Sequence, residues 1–268
     1  MSDKEGPQRT ALVTGAAGGI GRACAGRLSR AGWNVLAVDR DAQSLRWAEE
    51  AGIAACVADI AVEADNVAMV GQAMERFGRL DAAAFNAGIT GGGAIDTLPI
   101  DDFRRVLDVN LVGTVMGIRA ALPALRRSGG GAIAVTSSTM GLAGDAGNWA
   151  YCAAKHGLIG MVRSLAREVG WEGIRINALC PGPTRATGMT APIEAAGQQH
   201  FDALARAVPL QRWADPEEMA SVIEFLVSPA SSYVNGHALV ADGGAMVGSG
   251  LVPPAAEGAP AIPEDIEH

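Results

Sequence analysis

Short runs of β-branched and other apolar residues alternate along this chain with longer stretches in which apolar positions recur every three or four residues. The short runs predict seven strands, at residues 10–14, 34–38, 53–58, 80–85, 131–136, 174–179 and 237–241. The longer stretches predict helices near residues 19–31, 41–51, 62–77, 101–127, 149–171 and 215–228. Such alternation predicts a single-domain α/β fold of the Rossmann type: a doubly wound seven-stranded parallel sheet with helices on both faces. Ligands of these sheets bind beyond the carboxyl ends of the strands.

Two segments interrupt the alternation. Residues 182–212 contain scattered Pro, Gly and Thr with one weak helical stretch near 194–207, and a long excursion inside a compact domain is often a lid. Residues 249–268 are rich in Pro, Ala and acidic residues, which predicts either a disordered tail or an arm packed on a partner subunit. We therefore expect one domain over residues 1–248, including the lid, followed by a tail.

The composition of the 268 residues restricts the function classes. A net charge of −8 without a basic run argues against nucleic-acid binding, because phosphate contacts need clustered Lys and Arg. The polar N-terminus argues against a signal peptide, and no charge-free apolar run reaches the roughly 18 residues of a membrane span. These observations predict a cytoplasmic protein that binds neither nucleic acid nor membrane.

The four cysteines are scattered along the chain and form no Cys-x-x-Cys pair. This spacing argues against a zinc site and against a disulfide framework. We expect Cys24, Cys56, Cys152 and Cys180 to be reduced and mostly buried, and we expect no metal site.

A glycine-rich segment, TGAAGGIGRA, directly follows the first predicted strand. Gly15, Gly19 and Gly21 have the spacing G-x-x-x-G-x-G, with Ile20 inside it, and a helix begins there. Glycines let the backbone approach a pyrophosphate, and a helix N-terminus attracts its negative charge. The position between strand and helix favours a nucleotide site over a tight structural turn.

Residues at the ends of later strands extend this site. Asp39 lies 18 residues after Gly21, where an acid is expected on the ribose hydroxyls. A carboxylate repels a 2′-phosphate, which favours NAD over NADP, although Arg40 could face such a phosphate and Asp39 could instead cap a helix. Asp59, followed by Ile60, could accept a hydrogen bond from the adenine amino group. A small turn at residues 86–88 would let the cofactor pass; its members are Asn86, Ala87 and Gly88.

Tyr151 and Lys155 lie four residues apart in AYCAAKHG, so one helix face carries both. A free tyrosine has a pKa of about 10, too high for a base near neutral pH. A neighbouring ammonium would lower that pKa, while burial would oppose the change. The pair is therefore either a proton-transfer couple or two polar residues facing water.

Taken together, the motifs resemble those of the classical short-chain dehydrogenases/reductases, over residues 9–247. The matching segments are TGAAGGIG, NAG at 86–88, Asn110 in DVNLVG, Ser138 in VTSST, the Tyr151/Lys155 pair, PG at 181–182 and ADGG at 241–244. Ser138 also lies 13 residues before Tyr151, as in the family.

This resemblance implies roles for the residues. Tyr151 would be the acid/base that moves the hydroxyl proton, and Lys155 would lower its pKa and hold the nicotinamide ribose. Ser138 would hydrogen-bond the substrate oxygen, and Asn110 would order a water linking Lys155 to solvent, unless it is simply a helix-kink asparagine. Cofactor contacts would also come from Pro181, Gly182 and Thr184. The family further implies a homotetramer, with a dimer as the alternative, built across the helices near 101–127 and 149–171.

The chain departs from the family pattern at three positions. Phe85 replaces the asparagine before NAG, and we expect it nearer the core than the chemistry. Ala186 stands where the family usually has a carboxamide-binding threonine, so Thr184 or Thr187 would substitute for it. Glu172 stands near the position at which acyl-carrier-protein reductases of the family place a basic residue.

The expected substrate is a neutral, partly hydrophobic secondary alcohol or its ketone. The candidate pocket residues are mostly apolar or neutral: Met140, Asp145, Asn148, Trp149, Met189 and Phe201, with Arg185 the evident cation near the lid. The alternatives are a 3-oxoacyl (ACP or CoA) reductase and a non-catalytic NAD-binding redox sensor. An epimerase or dehydratase of the extended branch is disfavoured, because those proteins resemble this chain only in its first half.

Overall fold

Seven parallel strands form the centre of the protein, whose computed structural model describes residues 7–191, 195, 202 and 205–248. They are β1 (Thr10–Thr14), β2 (Asn34–Asp39), β3 (Ala54–Val57), β4 (Ala82–Phe85), β5 (Gly131–Thr136), β6 (Ile174–Pro181) and β7 (Ala238–Ala241). Their order in the sheet is β3-β2-β1-β4-β5-β6-β7. The chain reverses its winding direction between β1 and β4, and this reversal opens a crevice at the carboxyl ends of the strands.

Helices cover both faces of the sheet, which confirms the doubly wound fold. They are α1 (Gly19–Arg30), α2 (Arg46–Glu50), α3 (Glu63–Phe77), α4 (Ile100–Leu107), α5 (Gly113–Arg127), α6 (Trp149–Val169) and α7 (Pro216–Val227). Apolar residues of α3, α5 and α6 form the core on one face, and those of α1, α2 and α7 form the core on the other. All four cysteines are buried and free, as expected.

Two predicted helices differ from the observed ones by more than one or two residues at an end. The predicted helix at 41–51 begins only at Arg46, because the Asp41 carboxylate accepts hydrogen bonds from the amides of Gln43 and Ser44 and holds them in a turn. The predicted helix at 101–127 is divided by a π-helical segment, Asp108–Val112. Within that segment the Asn110 side chain donates to the Val106 carbonyl, which disrupts the regular helical ladder.

The run Ile100–Arg127, which joins α4, the π segment and α5, is long and apolar enough by length and composition alone to cross a membrane. Its inward-facing residues, such as Ile118 and Leu125, are buried against the sheet. Packing in the core therefore accounts for these apolar side chains. Phe85 lies in the same core, as its departure from the family pattern led us to expect.

The excursion at 182–212 leaves and rejoins the fold at one place, since Thr184 and Ala214 form a parallel bridge. Most of the predicted helical stretch near 194–207, including Phe201, lies outside the described residues. The predicted tail at 249–268 lies wholly outside them.

Gly117 in α5 permits the close approach of that helix to the sheet. A Cβ there would lie 2.4 Å from Cε1 of Phe85. We expect Gly117→Ala to lower the free energy of unfolding by about 1–3 kcal/mol through overpacking, measured by urea denaturation. Gly71→Ala in α3 is the matched control, because a Cβ there meets no atom within 4 Å. We expect that control to raise stability by about 0.5–1 kcal/mol; stabilisation by both substitutions would contradict the packing argument.

Candidate active site

The glycine-rich turn after β1 is compact because its glycines pack against each other. Gly15 has a φ of 69°, and a Cβ on Gly21 would lie 2.1 Å from the Gly15 carbonyl oxygen. Gly18 caps α1 in an extended conformation, with no side-chain cap and no atom within 4 Å of the position its Cβ would occupy. This cradle, which side chains would fill, fits the diphosphate of a dinucleotide at the start of a helix.

Asp39 at the end of β2 is held beside this turn. Its carboxylate accepts hydrogen bonds from the amides of Ala17 (3.0 Å) and Asp41 (3.1 Å), so it is placed at the expected edge of the nucleotide site. Arg40, next to it, is exposed. Sequence reasoning missed Trp47, whose indole N–H donates to the Ala16 carbonyl at 2.8 Å and supports the turn from α2.

Asp59 and Ile60 follow β3 at the same edge of the sheet. The Asp59 carboxylate accepts a hydrogen bond from the Ala61 amide at 2.9 Å. Ile60 is buried and packs near α5, since a Cβ on Gly113 would lie 2.8 Å from its carbonyl oxygen. The structure therefore places both residues at the carboxyl end of β3, beside the crevice, as the sequence predicted.

The turn at 86–88 is positioned by two threonines that sequence reasoning did not single out. The Thr14 hydroxyl oxygen accepts hydrogen bonds from the amides of Asn86 (3.0 Å) and Ala87 (3.2 Å). The Thr136 hydroxyl donates to the Asn86 side-chain oxygen at 3.2 Å. The only signal in the sequence is a threonine at the end of each of two buried strands, β1 and β5.

Lys155 is buried within α6 and reaches the end of β5. Its ammonium donates to the Thr136 carbonyl at 2.9 Å, and its own carbonyl accepts from the Ser137 hydroxyl at 2.9 Å. Burial lowers the pKa of Lys155 to about 8. The turn at 86–88 lies directly against this group, because a Cβ on Gly88 would be 3.5 Å from Nζ.

Tyr151 lies one turn before Lys155, and the ammonium is 5.3 Å from the centroid of its ring. Burial raises the pKa of Tyr151 to about 12, while a hydrogen bond with Ser138 acts in the opposite direction. The expected lowering by Lys155 is therefore not the dominant effect, because the ammonium bonds the Thr136 carbonyl and desolvation of the phenol is stronger. Met189 covers the phenol, with its sulfur 3.9 Å from the Tyr151 hydroxyl.

Ser138 lies two residues after the end of β5, directly before the linker to α6. Its Oγ accepts a hydrogen bond from the Met140 amide at 3.1 Å. With the Tyr151 contact, this bond holds the hydroxyl beside the phenol. Ser138, Tyr151 and Lys155 are thus brought together as the sequence predicted.

Asn110 is fully buried, and its side chain is bonded to backbone on both sides. It donates to the carbonyls of Val106 (2.9 Å) and Ile89 (3.0 Å) and accepts from the Ile89 amide at 3.2 Å. The bond to Val106 is that of a helix-kink asparagine, and the bonds to Ile89 attach the loop after β4 to the π segment.

The residues after β6 are divided between two environments. Pro181 ends the strand, and Gly182 packs so closely on Asp242 that a Cβ would lie 2.6 Å from the Asp242 Cα. Thr184 is buried and its hydroxyl donates to the Gly182 carbonyl at 3.1 Å. Thr187 instead lies against the glycine-rich turn, 3.2 Å from where a Cβ on Gly19 would be.

The candidate pocket residues Met140, Asp145, Asn148 and Trp149 all lie on the linker between Ser138 and Tyr151 or at its end. Asn148 donates to the Asp145 carboxylate at 2.5 Å. Arg185 near the lid is ion-paired with Asp215 at 2.7 Å.

Among the described residues, no cluster of three or more His, Cys, Asp and Glu side chains could bind a metal ion.

Known proteins resemble this chain in sequence and in overall fold. The family model described as Enoyl-(Acyl carrier protein) reductase matches residues 15–246. The chain is 36% identical to a meso-2,3-butanediol dehydrogenase of Serratia marcescens over 250 residues, which cover 90% of this chain and 96% of that protein.

Two solved structures have similar folds at a TM-score of 0.84 each. A crystal structure of levodione reductase is 32% identical and covers 88% of this chain and 96% of its own. A crystal structure of a variant actinorhodin polyketide ketoreductase with NADPH is 31% identical and covers 89% of this chain and 97% of its own.

The lowered pKa of Lys155 makes the stability of the fold depend on pH. Because the folded pKa of about 8 lies below the ordinary 10.5, the unfolded chain binds this proton more tightly. The contribution of Lys155 to the free energy of unfolding therefore rises as pH rises between those two values. We expect Lys155→Met to be more stable than the wild type at neutral pH, and this advantage to shrink by about 2 kcal/mol on going to about pH 10.

Denaturant unfolding of both proteins across this pH range measures that difference. Groups other than Lys155 titrate in both proteins and cancel in the comparison. A difference that stays constant with pH would contradict a buried, weakly basic lysine.

Proposed function

Because the chain belongs to the short-chain dehydrogenase/reductase family and is an enzyme that acts on CH–OH groups, we propose that it interconverts a secondary alcohol and a ketone with NAD. The observation that carries this proposal is the meeting of two groups of residues. The turn at 86–88 reaches the Lys155 ammonium, and Lys155 in turn lies beside Tyr151 and Ser138. A cofactor crevice therefore opens directly onto a proton-transfer site.

Tyr151 is the acid and base of this proposal. Since its pKa is raised to about 12, the phenol is protonated at neutral pH and can donate to a ketone oxygen during reduction. The Ser138 hydroxyl stabilises the charge that develops on that oxygen. A bound nicotinamide supplies the hydride chemistry. During oxidation Tyr151 must first lose its proton, and the nearby Lys155 cation favours that form.

The preference for NAD rests on Asp39. Its carboxylate is fixed by the amides of Ala17 and Asp41 at the end of β2, so it cannot turn away from a ligand without losing both bonds. A 2′-phosphate at this position would meet a fixed negative charge. The diphosphate would bind to Gly15 and the segment Gly18–Gly21. The nicotinamide carboxamide would bind to Thr187, in place of the threonine that the family usually has.

We propose a neutral, partly hydrophobic substrate. Met189 and Trp149 contribute apolar surface, and Arg185 is neutralised by Asp215.

A 3-oxoacyl reductase is the second candidate, suggested by the similarity to a polyketide ketoreductase. Glu172 speaks against it, because this acid pairs with Arg126 near the position where acyl-carrier-protein reductases place a basic residue.

We also propose that residues 182–212 act as a lid and that the protein is a cytoplasmic homotetramer, or else a dimer. The outer face of α5 supports assembly, since Val115 is 42% exposed and Val112, just before the helix, is 43% exposed. The lid proposal is supported by the bridge between Thr184, near its start, and Ala214, just after its end, which brings the two ends of the segment together.

Replacing the catalytic phenol tests the reaction. We expect Tyr151→Phe to lower NAD-dependent oxidation of a panel of neutral secondary alcohols by about 10²- to 10⁴-fold, because the acid/base is lost. Absorbance of the reduced nicotinamide measures the rate. Tyr233→Phe is the matched control, since this second tyrosine is fully exposed, and its activity should equal that of the wild type. Tight NAD binding by a wild type that turns over no substrate would instead favour the redox-sensor alternative.

Replacing the acid at the end of β2 tests the cofactor preference. We expect Asp39→Ser to reduce the ratio of kcat/KM for NAD to kcat/KM for NADP by about tenfold or more, because like-charge repulsion of a 2′-phosphate is removed. Steady-state kinetics with both cofactors measures the ratio. Asp41→Ser removes an exposed carboxylate from the same loop and should leave the ratio unchanged. Equal changes in both variants would attribute the effect to the loop.

A further inference from the structure

The loop between β4 and α4 borders the proposed substrate side of the site. It starts from the cofactor turn at 86–88, contains three successive glycines at residues 91–93, and has no helix or strand before α4. A second segment, the linker 139–148, joins Ser138 to the helix that carries Tyr151; it begins with a short 3₁₀ turn at Thr139–Gly141 and is irregular after it. How these two segments are held together decides the shape of the pocket beside Tyr151.

Both backbone groups of Gly93 are bonded to the beginning of α6 or the residues just before it. The Gly93 amide donates to the Gly147 carbonyl at 2.7 Å. The Gly93 carbonyl accepts from the Trp149 indole N–H at 3.1 Å. We call this pair of hydrogen bonds the Gly93 clasp. It joins the middle of the loop after β4 to the end of the linker and the start of α6. Gly147, the linker residue of the clasp, lies two residues before Trp149 and four before Tyr151.

Close neighbours explain why the loop contains glycines, and for Gly92 the neighbour is the linker. A Cβ on Gly92 would lie 3.0 Å from both the Gly147 carbonyl oxygen and Oδ1 of Asn148, and a Cβ on Gly91 would lie 2.1 Å from Cγ2 of Val106. None of the three loop glycines has a positive φ. Gly92 is therefore required by the closeness of the two segments, and Gly91 by the approach of α4, rather than by a turn.

Trp149 is well placed to hold the clasp. Its ring stacks on Phe103, with centroids 5.1 Å apart, and it packs in the same apolar cluster as Tyr151. This packing fixes the plane of the indole, and the N–H then points at the Gly93 carbonyl.

We propose that Trp149 is a positioning residue that closes the pocket wall between the loop after β4 and the linker, and thereby restricts turnover to compact alcohols and ketones. The inference rests on the proposed function, and it names the substrate class within it. With the clasp closed, the Gly93 amide is held 2.7 Å from the Gly147 carbonyl, so a bulky substituent directed between the two segments has to displace Gly93 from Gly147.

Trp149→Phe separates the hydrogen bond from the packing, because phenylalanine keeps a ring on Phe103 but has no N–H. We expect KM for a compact alcohol such as cyclohexanol to rise about five- to tenfold, with kcat within about twofold and KM for NAD unchanged. Relative kcat/KM for a bulky alcohol such as borneol should rise by a similar factor. Trp171→Phe is the matched control, since Trp171 is 83% exposed, and its kinetics should equal those of the wild type.

Amide hydrogen exchange at Gly93 gives a readout that does not need turnover. We expect exchange about tenfold faster in Trp149→Phe than in the wild type or in Trp171→Phe. If the wild type is active while Trp149→Phe matches it in KM, size preference and exchange, the inference is overturned and the proposed function stands. If the wild type turns over no alcohol or ketone, the proposed function fails, and unchanged exchange at Gly93 would then overturn the clasp separately. A fall in kcat alone would also overturn it, since that would place Trp149 in the chemistry.

Discussion

The burial of one ammonium group, that of Lys155, is the constraint on which the site depends. A buried charge is costly unless it is hydrogen-bonded, and here the Thr136 carbonyl at the end of β5 receives it. The Lys155 carbonyl accepts from Ser137 on the same strand end. Two bonds therefore fasten α6 to the residues directly before Ser138, and they fix the serine beside the helix that carries the tyrosine and the lysine. The cofactor turn meets this arrangement where Gly88 abuts Nζ.

Much of the fold could be predicted from the sequence because buried parallel strands are nearly continuous apolar runs. The bounds predicted for β1 and β5 are those observed, and the doubly wound topology follows from strand–helix alternation. Apart from strand and helix ends that differ by one or two residues, the errors occurred where a side chain bonds to nearby backbone. Asp41 delays the start of α2, and Asn110 divides the helix predicted at 101–127. Hydrophobic periodicity does not register such contacts, because the polar residues concerned fit the helical pattern equally well.

In the candidate site, too, local features could be predicted from the sequence and contacts between distant residues could not. The spacing of Tyr151 and Lys155 and the position of the glycine-rich turn are local properties, and both could be predicted. The supporting roles of Thr14, Thr136 and Trp47 could not, because each contacts backbone or side chain far away in the sequence, across the ends of different strands. The direction of the Tyr151 pKa shift also depends on burial, which the four-residue spacing does not report. In the folded protein desolvation of the phenol outweighs the influence of the lysine.

The supporting residues converge on a single loop, the one after β4. Thr14 from β1 binds the amides of Asn86 and Ala87, Asn110 from the π segment binds Ile89, and Trp149 from α6 binds Gly93. A segment without helix or strand has no ladder to order it, so side chains from three elements supply the missing hydrogen bonds. The loop begins at the cofactor turn and reaches the substrate side within a few residues. Its attachments therefore set the distance between the cofactor turn and the pocket wall, and the separate bonds of Thr14 and Asn110 hold the cofactor turn and Ile89 independently of the clasp at Gly93.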